Sequence, residues 1–308
     1  MKVHVVGAGA MGCLYAAALH RAECEVTLVD VNREHIDAIN LQGLQLETRA
    51  GTESVPLPAC MPSEAEGPTD LILLFTKTFH TDMALTGVEH IIGPETHVLT
   101  LQNGLGNDER VATHVPRERV LVGVSTLPSD LVGPGRVRSL GEGGSKLYAA
   151  FGGDAQFAGQ VAAALTQGGL PSVLDQDIGA AIWAKAIFNA AMNPLCALTR
   201  RTPGFLGAHE ESRELIRTAV EEGVAAARAN GVTIDAAPIH ALTEVSMTDH
   251  ADHEASMLQD IKAGRRTEVD AINGAIAKAA EAAGVAAPVT ATLYRLVKLE
   301  EAKIAGQE

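Results

Sequence analysis

No uncharged apolar run in this sequence approaches the roughly 20 residues a helix needs to cross a bilayer. Basic residues are also short. The 24 Lys and Arg stand against 38 Asp and Glu, and the formal charge of -14 opposes a phosphate backbone or an anionic membrane as a general partner. A small anion can still bind where cations are placed locally. The four cysteines, Cys13, Cys24, Cys60 and Cys196, lack CxxC spacing. That argues against a zinc knuckle or a disulfide framework and suits a reducing compartment, so they read as packing residues. His250 and His253 have HxxH spacing without the HExxH context of a catalytic zinc helix, and no metal site is expected. The strand-like run VHVV starts within three residues of Met1 and leaves no room for the basic segment and apolar core of a signal peptide. A cytoplasmic protein is the expectation.

What is present is apolar content, 46% of 308 residues at a mean hydropathy of +0.11, ample for two domains with buried cores. Residues 2–30 read as strand (KVHVV), glycine loop, helix (MGCLYAAALHR) and strand (EVTLVD), one βαβ unit. In the loop Gly7-Ala8-Gly9-Ala10-Met11-Gly12, Gly7 permits a tight turn, Gly9 lets the backbone approach a pyrophosphate, and Gly12 lets the helix pack on the strand. The helix N-terminus offers its N–H groups and positive dipole to the phosphates. Asp30 at the end of the second strand can accept from both ribose hydroxyls and would repel a 2′-phosphate, which favours NAD(H). Arg33 keeps NADP(H) open, because a guanidinium three residues on could pair with that phosphate.

LQLETRAGTESVPLP reads as hairpin strands, and TDLILLFTK as a buried parallel strand with Lys77 at its carboxyl end. HTDMALTGVEHII is helical, and THVLTLQNGLGN is a further strand closing on Asn103 and Gly104. Gly7, Asp30, Lys77 and Asn103 thus all fall at strand carboxyl ends, where open parallel sheets hold ligands. RVLVGVST, RVRSLG and SKLYAAFG suggest antiparallel strands that finish the sheet. Gly141, Gly143 and Gly144 precede a strand rather than a helix and so offer an anion no dipole. A helix from Asp154 and a short strand PSVLD complete a Rossmann-type dinucleotide-binding domain over residues 1–176. Residues 177–308 read as all-α, with runs at 178–198, 209–230, 267–284 and 289–303 punctuated by Gly and Pro. The fold class is therefore α/β followed by an all-α C-terminal domain. Its alanine-rich helices can bury a homodimer face.

In WAKAIFNAAMNPL, Lys185, Asn189 and Asn193 are spaced four and four, which puts an ammonium and two carboxamides on one face of an otherwise apolar helix. Burying them without partners costs several kcal/mol, so the stripe calls for a ligand or a polar recess. Pro194 disturbs the helix beside Asn193. In the stretch 253–276, Ser256 and Asp260 are four apart and Glu268 lies eight beyond, near the same face if one helix or two aligned helices carry them, with Gly264 against continuity. Lys262, Arg265 and Arg266 read as a solvated or ion-paired surface.

With GAGAMG at the start, Lys77 after a strand, LQNGLGN, the Lys185, Asn189, Asn193 series, and SMLQDI followed by TEVDAINGAI, the chain resembles the ketopantoate reductases (2-dehydropantoate 2-reductases) over nearly its whole length. That resemblance implies a dinucleotide-binding domain joined to a helical domain, and reduction of a 2-oxo acid with a nicotinamide cofactor. It implies Lys185 as general acid and Glu268 as the group that contacts the substrate hydroxyl and helps position the lysine. Asn189, Asn193 and Ser256 become substrate binders, Lys77 and Asn103 neighbours of nicotinamide and substrate, and Asp260 a supporting residue. The chemistry suits the residue types. Hydride arrival at a carbonyl builds negative charge on oxygen, which a cationic lysine stabilises and protonates. One departure stands out: biosynthetic members read NADPH with a basic residue after the second strand, where this chain has Asp30 and Val31. An NAD-dependent dehydrogenase of another 2-hydroxy acid, and a non-catalytic nicotinamide-sensing regulator, are the alternatives.

Overall fold

The computed structural model describes residues 1–306 and divides into two units. One comprises Met1–Gln102 with Asn107–Ile178; the other takes Asn103–Gly106 and the chain from Gly179 onward.

The first unit runs β1 (Lys2–Val6), α1 (Ala10–Arg21), β2 (Glu25–Val29), α2 (Arg33–Gln42), β3 (Leu44–Thr48), β4 (Gly51–Val55) and β5 (Ala59–Cys60). It continues through β6 (Thr69–Leu74), α3 (Thr81–Gly87), β7 (Ile92–Thr100), α4 (Asn107–Val111), β8 (Val120–Ser125), β9 (Asp130–Gly133) and β10 (Arg136–Ser139). β11 (Ser145–Ala149), α5 (Ala155–Gln167) and β12 (Ser172–Leu174) close it. Eight strands form one sheet in the order β12-β11-β8-β7-β6-β1-β2-β5, parallel throughout except where β11 meets β8. Leu71, Ile72, Leu73 and Leu74 of β6 are all fully buried, as expected of a central parallel strand covered on both faces. The chain order reverses between β1 and β6, the switch point at which such sheets hold ligands.

β3 and β4 pair as the expected hairpin, from Leu44 opposite Val55 to Thr48 opposite Gly51. The strand from RVRSLG departs from expectation. β10 does not finish the main sheet but pairs with β3 in parallel, Val137 opposite Leu46, within a second sheet ordered β4-β3-β10-β9. Leu44, Leu46 and Val137 are fully buried while alternate residues face outward. Period-two alternation marks such a strand but carries no information about its partner.

The helical unit contains α6 (Ile178–Thr199), α7 (Pro203–Gly207), α8 (Glu210–Ala229), α9 (Ala236–Thr248), α10 (Ser256–Lys262), a π-helical turn Asp270–Gly274, α11 (Ala275–Ala282) and α12 (Pro288–Ala305). The region 253–276 is broken as Gly264 suggested. α10 stops at Lys262, Gly264 takes φ +65°, and Glu268 lies just before the π-helical turn. α6 and α8 approach closely, because a Cβ on Gly223 would come 2.7 Å from the Ile187 side chain. Buried Glu222 of α8 accepts from Val289 N (2.9 Å) and Thr290 N (2.8 Å). It thereby satisfies the first turn of α12, whose own N-cap is Ala287. Among the described residues no helix is long and apolar enough to cross a membrane, and no cluster of His, Cys, Asp and Glu could hold a metal ion.

Candidate active site

The glycine loop has the shape a dinucleotide requires. Gly7 takes φ +98°, and a Cβ there would lie 2.7 Å from Thr76 N. A Cβ on Gly12 would lie 2.0 Å from Gly7 O, so only glycine lets α1 start this close to β1. At Gly9, the N-cap of α1, a Cβ would meet nothing within 4 Å. No side chain caps that helix and no acid sits in its first turn. Its leading N–H groups are therefore suited to an anion, and the loop fits a pyrophosphate.

Asp30 is held by the backbone around it. Its Oδ2 accepts from Ala8 N at 2.7 Å, and its Oδ1 from Val31 N (2.8 Å) and Asn32 N (2.9 Å). The carboxylate thus clamps the end of β2 to the loop. Behind the loop the thiol of Cys13 donates to Ala8 O at 3.1 Å, and burial pushes its pKa up. Gly135 N donates to His35 Nδ1 at 3.0 Å, which leaves the proton on Nε2, 3.7 Å from Cys13 Sγ. Cys13 is accordingly a packing residue that also holds the loop. Arg33 pairs with Glu64 at 3.1 Å on the surface.

Lys77 follows β6 and opens a 3₁₀ turn, Thr78–His80. The loop carrying it is tied down by Gln102, which sequence reasoning did not single out. The Gln102 amide donates to Thr76 O (2.7 Å) and meets Thr81 Oγ1 (3.1 Å). Its own place in the LQNG turn was the signal in the sequence.

In the helical unit, α6 presents Lys185, Asn189 and Asn193 along one face. Asn189 and Asn193 are 9% and 6% exposed, yet neither carboxamide has a hydrogen-bond partner among the described residues. Their amide atoms are not among the fully buried polar atoms that lack a partner, so they reach solvent from this face and are available to a ligand. Lys185 keeps some surface, and burial still pulls its ammonium down to about 8, with the Glu268 carboxylate opposing the shift. An amine poised there can give up a proton near neutral pH.

Glu268 is buried, and its Oε2 accepts from Asn103 Nδ2 at 3.2 Å. Asn103 reaches it because residues 103–106 are anchored to the π-helical turn. Leu105 N donates to Ala271 O at 2.9 Å, and Gly104, at φ +88°, allows a contact in which a Cβ would lie 2.2 Å from that same oxygen. Thr267, just ahead of Glu268, is fixed through its N–H and hydroxyl to Glu301 Oε1 at 2.8 and 2.6 Å. Ser256 is exposed at the first turn of α10. Asp260 is buried and accepts from Arg265 Nε (3.2 Å) and Nη2 (3.1 Å), bracing the turn at Gly264. Lys262 and Arg266 pair with Glu254 and Asp270.

The structure thus combines an α/β unit bearing a dinucleotide-type glycine loop with a helical unit in which a lysine and two amides share one face of α6 and a buried carboxylate is held by Asn103. Residues 3–150 match the family described as Ketopantoate reductase PanE/ApbA, and residues 177–301 its C-terminal domain. A 2-dehydropantoate 2-reductase of Streptococcus pyogenes serotype M1 is 35% identical over 303 residues, 98% of each chain. A structure of D-mandelate dehydrogenase with NADH and anilino(oxo)acetate superposes with a TM-score of 0.94 at 33% identity, covering 99% of this chain and 100% of that one. A 2-dehydropantoate 2-reductase from Geobacter metallireducens GS-15 gives 0.92 at 31%, covering 97% and 99%. The chain belongs to the ketopantoate reductase family, and is an oxidoreductase of that family, which uses a nicotinamide cofactor.

Proposed function

We propose that the protein reduces a 2-oxo acid to the 2-hydroxy acid, with 2-dehydropantoate the first substrate to test and Lys185 the general acid. The observation that carries this is the α6 face: two largely buried asparagines whose amide atoms still reach solvent, beside a lysine whose ammonium burial weakens. Asn189 and Asn193 offer donors to the substrate carboxylate, and the Ser256 hydroxyl adds another. Lys185 stabilises the charge that grows on the carbonyl oxygen and passes its proton there. Glu268, oriented by Asn103, accepts from the resulting hydroxyl and holds the lysine's charge. The loop Gly7–Gly12 and Asp30 would hold the cofactor, with Lys77, after β6 of the same unit, a further contact for it. A reduced nicotinamide supplies the hydride.

NADH is the favoured cofactor. Asp30 would set a carboxylate against a 2′-phosphate, and Arg33 is engaged by Glu64. The D-mandelate dehydrogenase structure with NADH supports a second reading, an NAD-linked dehydrogenase of a different 2-hydroxy acid. Nicotinamide absorbance followed with NADH and NADPH across a panel of 2-oxo acids separates the two. The first reading requires 2-dehydropantoate to give the highest kcat/KM. No turnover on any 2-oxo acid, with tight cofactor binding, would remove both in favour of a nicotinamide sensor. The acidic surface and the absence of a long apolar helix among the described residues suit a cytoplasmic enzyme.

A further inference from the structure

Asn273 is fully buried, yet it uses its carboxamide only once. Nδ2 donates to Ala190 O at 2.9 Å, while Oδ1 finds no partner. Keeping an amide in an apolar interior with half its capacity unmet is costly, so the bond it does make must matter. Its target explains why. Ala190 stands four residues before Pro194 in α6, and proline has no N–H. The Ala190 carbonyl therefore misses the bond that an α-helix would give it. Asn273, from a different element, supplies the missing donor.

The two ends of this bond belong to the two halves of the site. Ala190 lies on the helix that bears Lys185, Asn189 and Asn193, one residue beyond Asn189. Asn273 lies in the π-helical turn, in which Ala271 N and Ile272 N both donate to Glu268 O at 3.1 Å. A π-helical turn widens the backbone and re-aims side chains, and such turns recur at functional sites. We infer that Asn273 is a positioning residue: through the carbonyl that Pro194 leaves open, it ties the segment carrying Glu268 to the helix carrying Lys185. Pro194, which resembles a helix defect, is then the feature that creates the docking point. The inference rests on the proposed roles of Lys185 and Glu268.

The competing explanation is that Asn273 merely satisfies an orphan carbonyl, and the two separate in a double-mutant experiment. Asn273→Ala leaves Ala190 O without a donor and removes the tie. Pro194→Ala restores an N–H within α6. In Asn273→Ala/Pro194→Ala the carbonyl is satisfied but the tie is still absent. Thermal stability should therefore fall in Asn273→Ala and return in the double variant, whereas kcat should stay low in both. The expected loss in kcat is roughly tenfold to a hundredfold relative to the protein with the same residue at 194, because a small displacement of paired catalytic groups has that effect. The pH at which kcat falls should move too, since Glu268 acts on Lys185. Cofactor affinity, measured by NADH titration, should not change. If Asn273→Ala does not fold, the double variant against Pro194→Ala carries the test.

Recovery of kcat together with stability in the double variant would overturn the inference, as would wild-type kcat in Asn273→Ala. Lys185→Met distinguishes this from a failure of the underlying reading. If that variant turns over normally, the roles of Lys185 and Glu268 fall; if it is dead while Asn273→Ala is fully active, only the positioning role falls.

Discussion

Asn103 donates its side-chain amide to Glu268 at 3.2 Å across 165 residues of chain. Asn103, within the loop after β7, thereby belongs with the helical unit and is not a simple turn residue. The pairing gives Glu268 a fixed direction, and it makes Asn103 a test of whether that direction matters.

Asn103→Ala should lower kcat/KM for the 2-oxo acid about tenfold or more, the value of a hydrogen bond to a charged group, and should also lower Tm, because buried Glu268 loses a donor. Steady-state kinetics at saturating cofactor measures it. An unaltered kcat/KM would make the bond incidental.

Lys185→Met should reduce kcat by about a hundredfold to ten-thousandfold, the usual range for a general acid, without weakening NADH binding. It should also stabilise the protein. The lysine's pKa falls from 10.5 to about 8 on folding, so the cost of holding the ammonium is complete below pH 8 and vanishes above the unfolded value. The gain at neutral pH is on the order of 1–3 kcal/mol, toward the lower end because the side chain keeps some surface. A higher Tm with no activity is the expected pairing, and a lower Tm would contradict the burial argument.

The pH dependence of kcat follows with its sign. Reduction needs the protonated lysine, so its rate should fall as pH rises through about 8, and the reverse oxidation should rise over the same span. Glu268 opposes the downward shift, so Glu268→Gln should move the limb to lower pH. Profiles of the unmodified protein and of Glu268→Gln in both directions test this. A limb that stays in place in Glu268→Gln would disconnect the two groups.

Asp30→Ala should raise the ratio of kcat/KM with NADPH to that with NADH. Three backbone N–H groups lose their acceptor at once, so both cofactors should also bind more weakly and Tm should drop. Asp30→Asn keeps an oxygen for one side of the clamp but turns an amide toward Ala8 N, and should fall between the two. An unchanged cofactor ratio would remove the argument for NADH.

The βαβ start, the buried β6, the hairpin β3–β4 and the long helices α6, α8 and α12 were legible because each declares itself through local periodicity and punctuation. The helical spacing of Lys185, Asn189 and Asn193 was legible for the same reason. The partner of β10 was not, because alternation marks a buried face without saying what pairs along the edge. A division at one point in the chain also cannot express that residues 103–106 sit with the helical unit.

The sequence by itself determined which chemical groups are available and on which local surfaces: a glycine loop ahead of a helix, an acid after β2, and an amine with two amides down one helical face. Tertiary structure decided what those groups do to one another. It set Asp30 as a clamp on Ala8, Arg265 against Asp260, Asn103 against Glu268, and Asn273 on the carbonyl that Pro194 leaves open. The reason is physical. Helical and strand periodicities arise from bonds a few residues apart, whereas each of these contacts except Arg265 with Asp260 joins residues at least 22 positions apart, and only the packed chain brings them together.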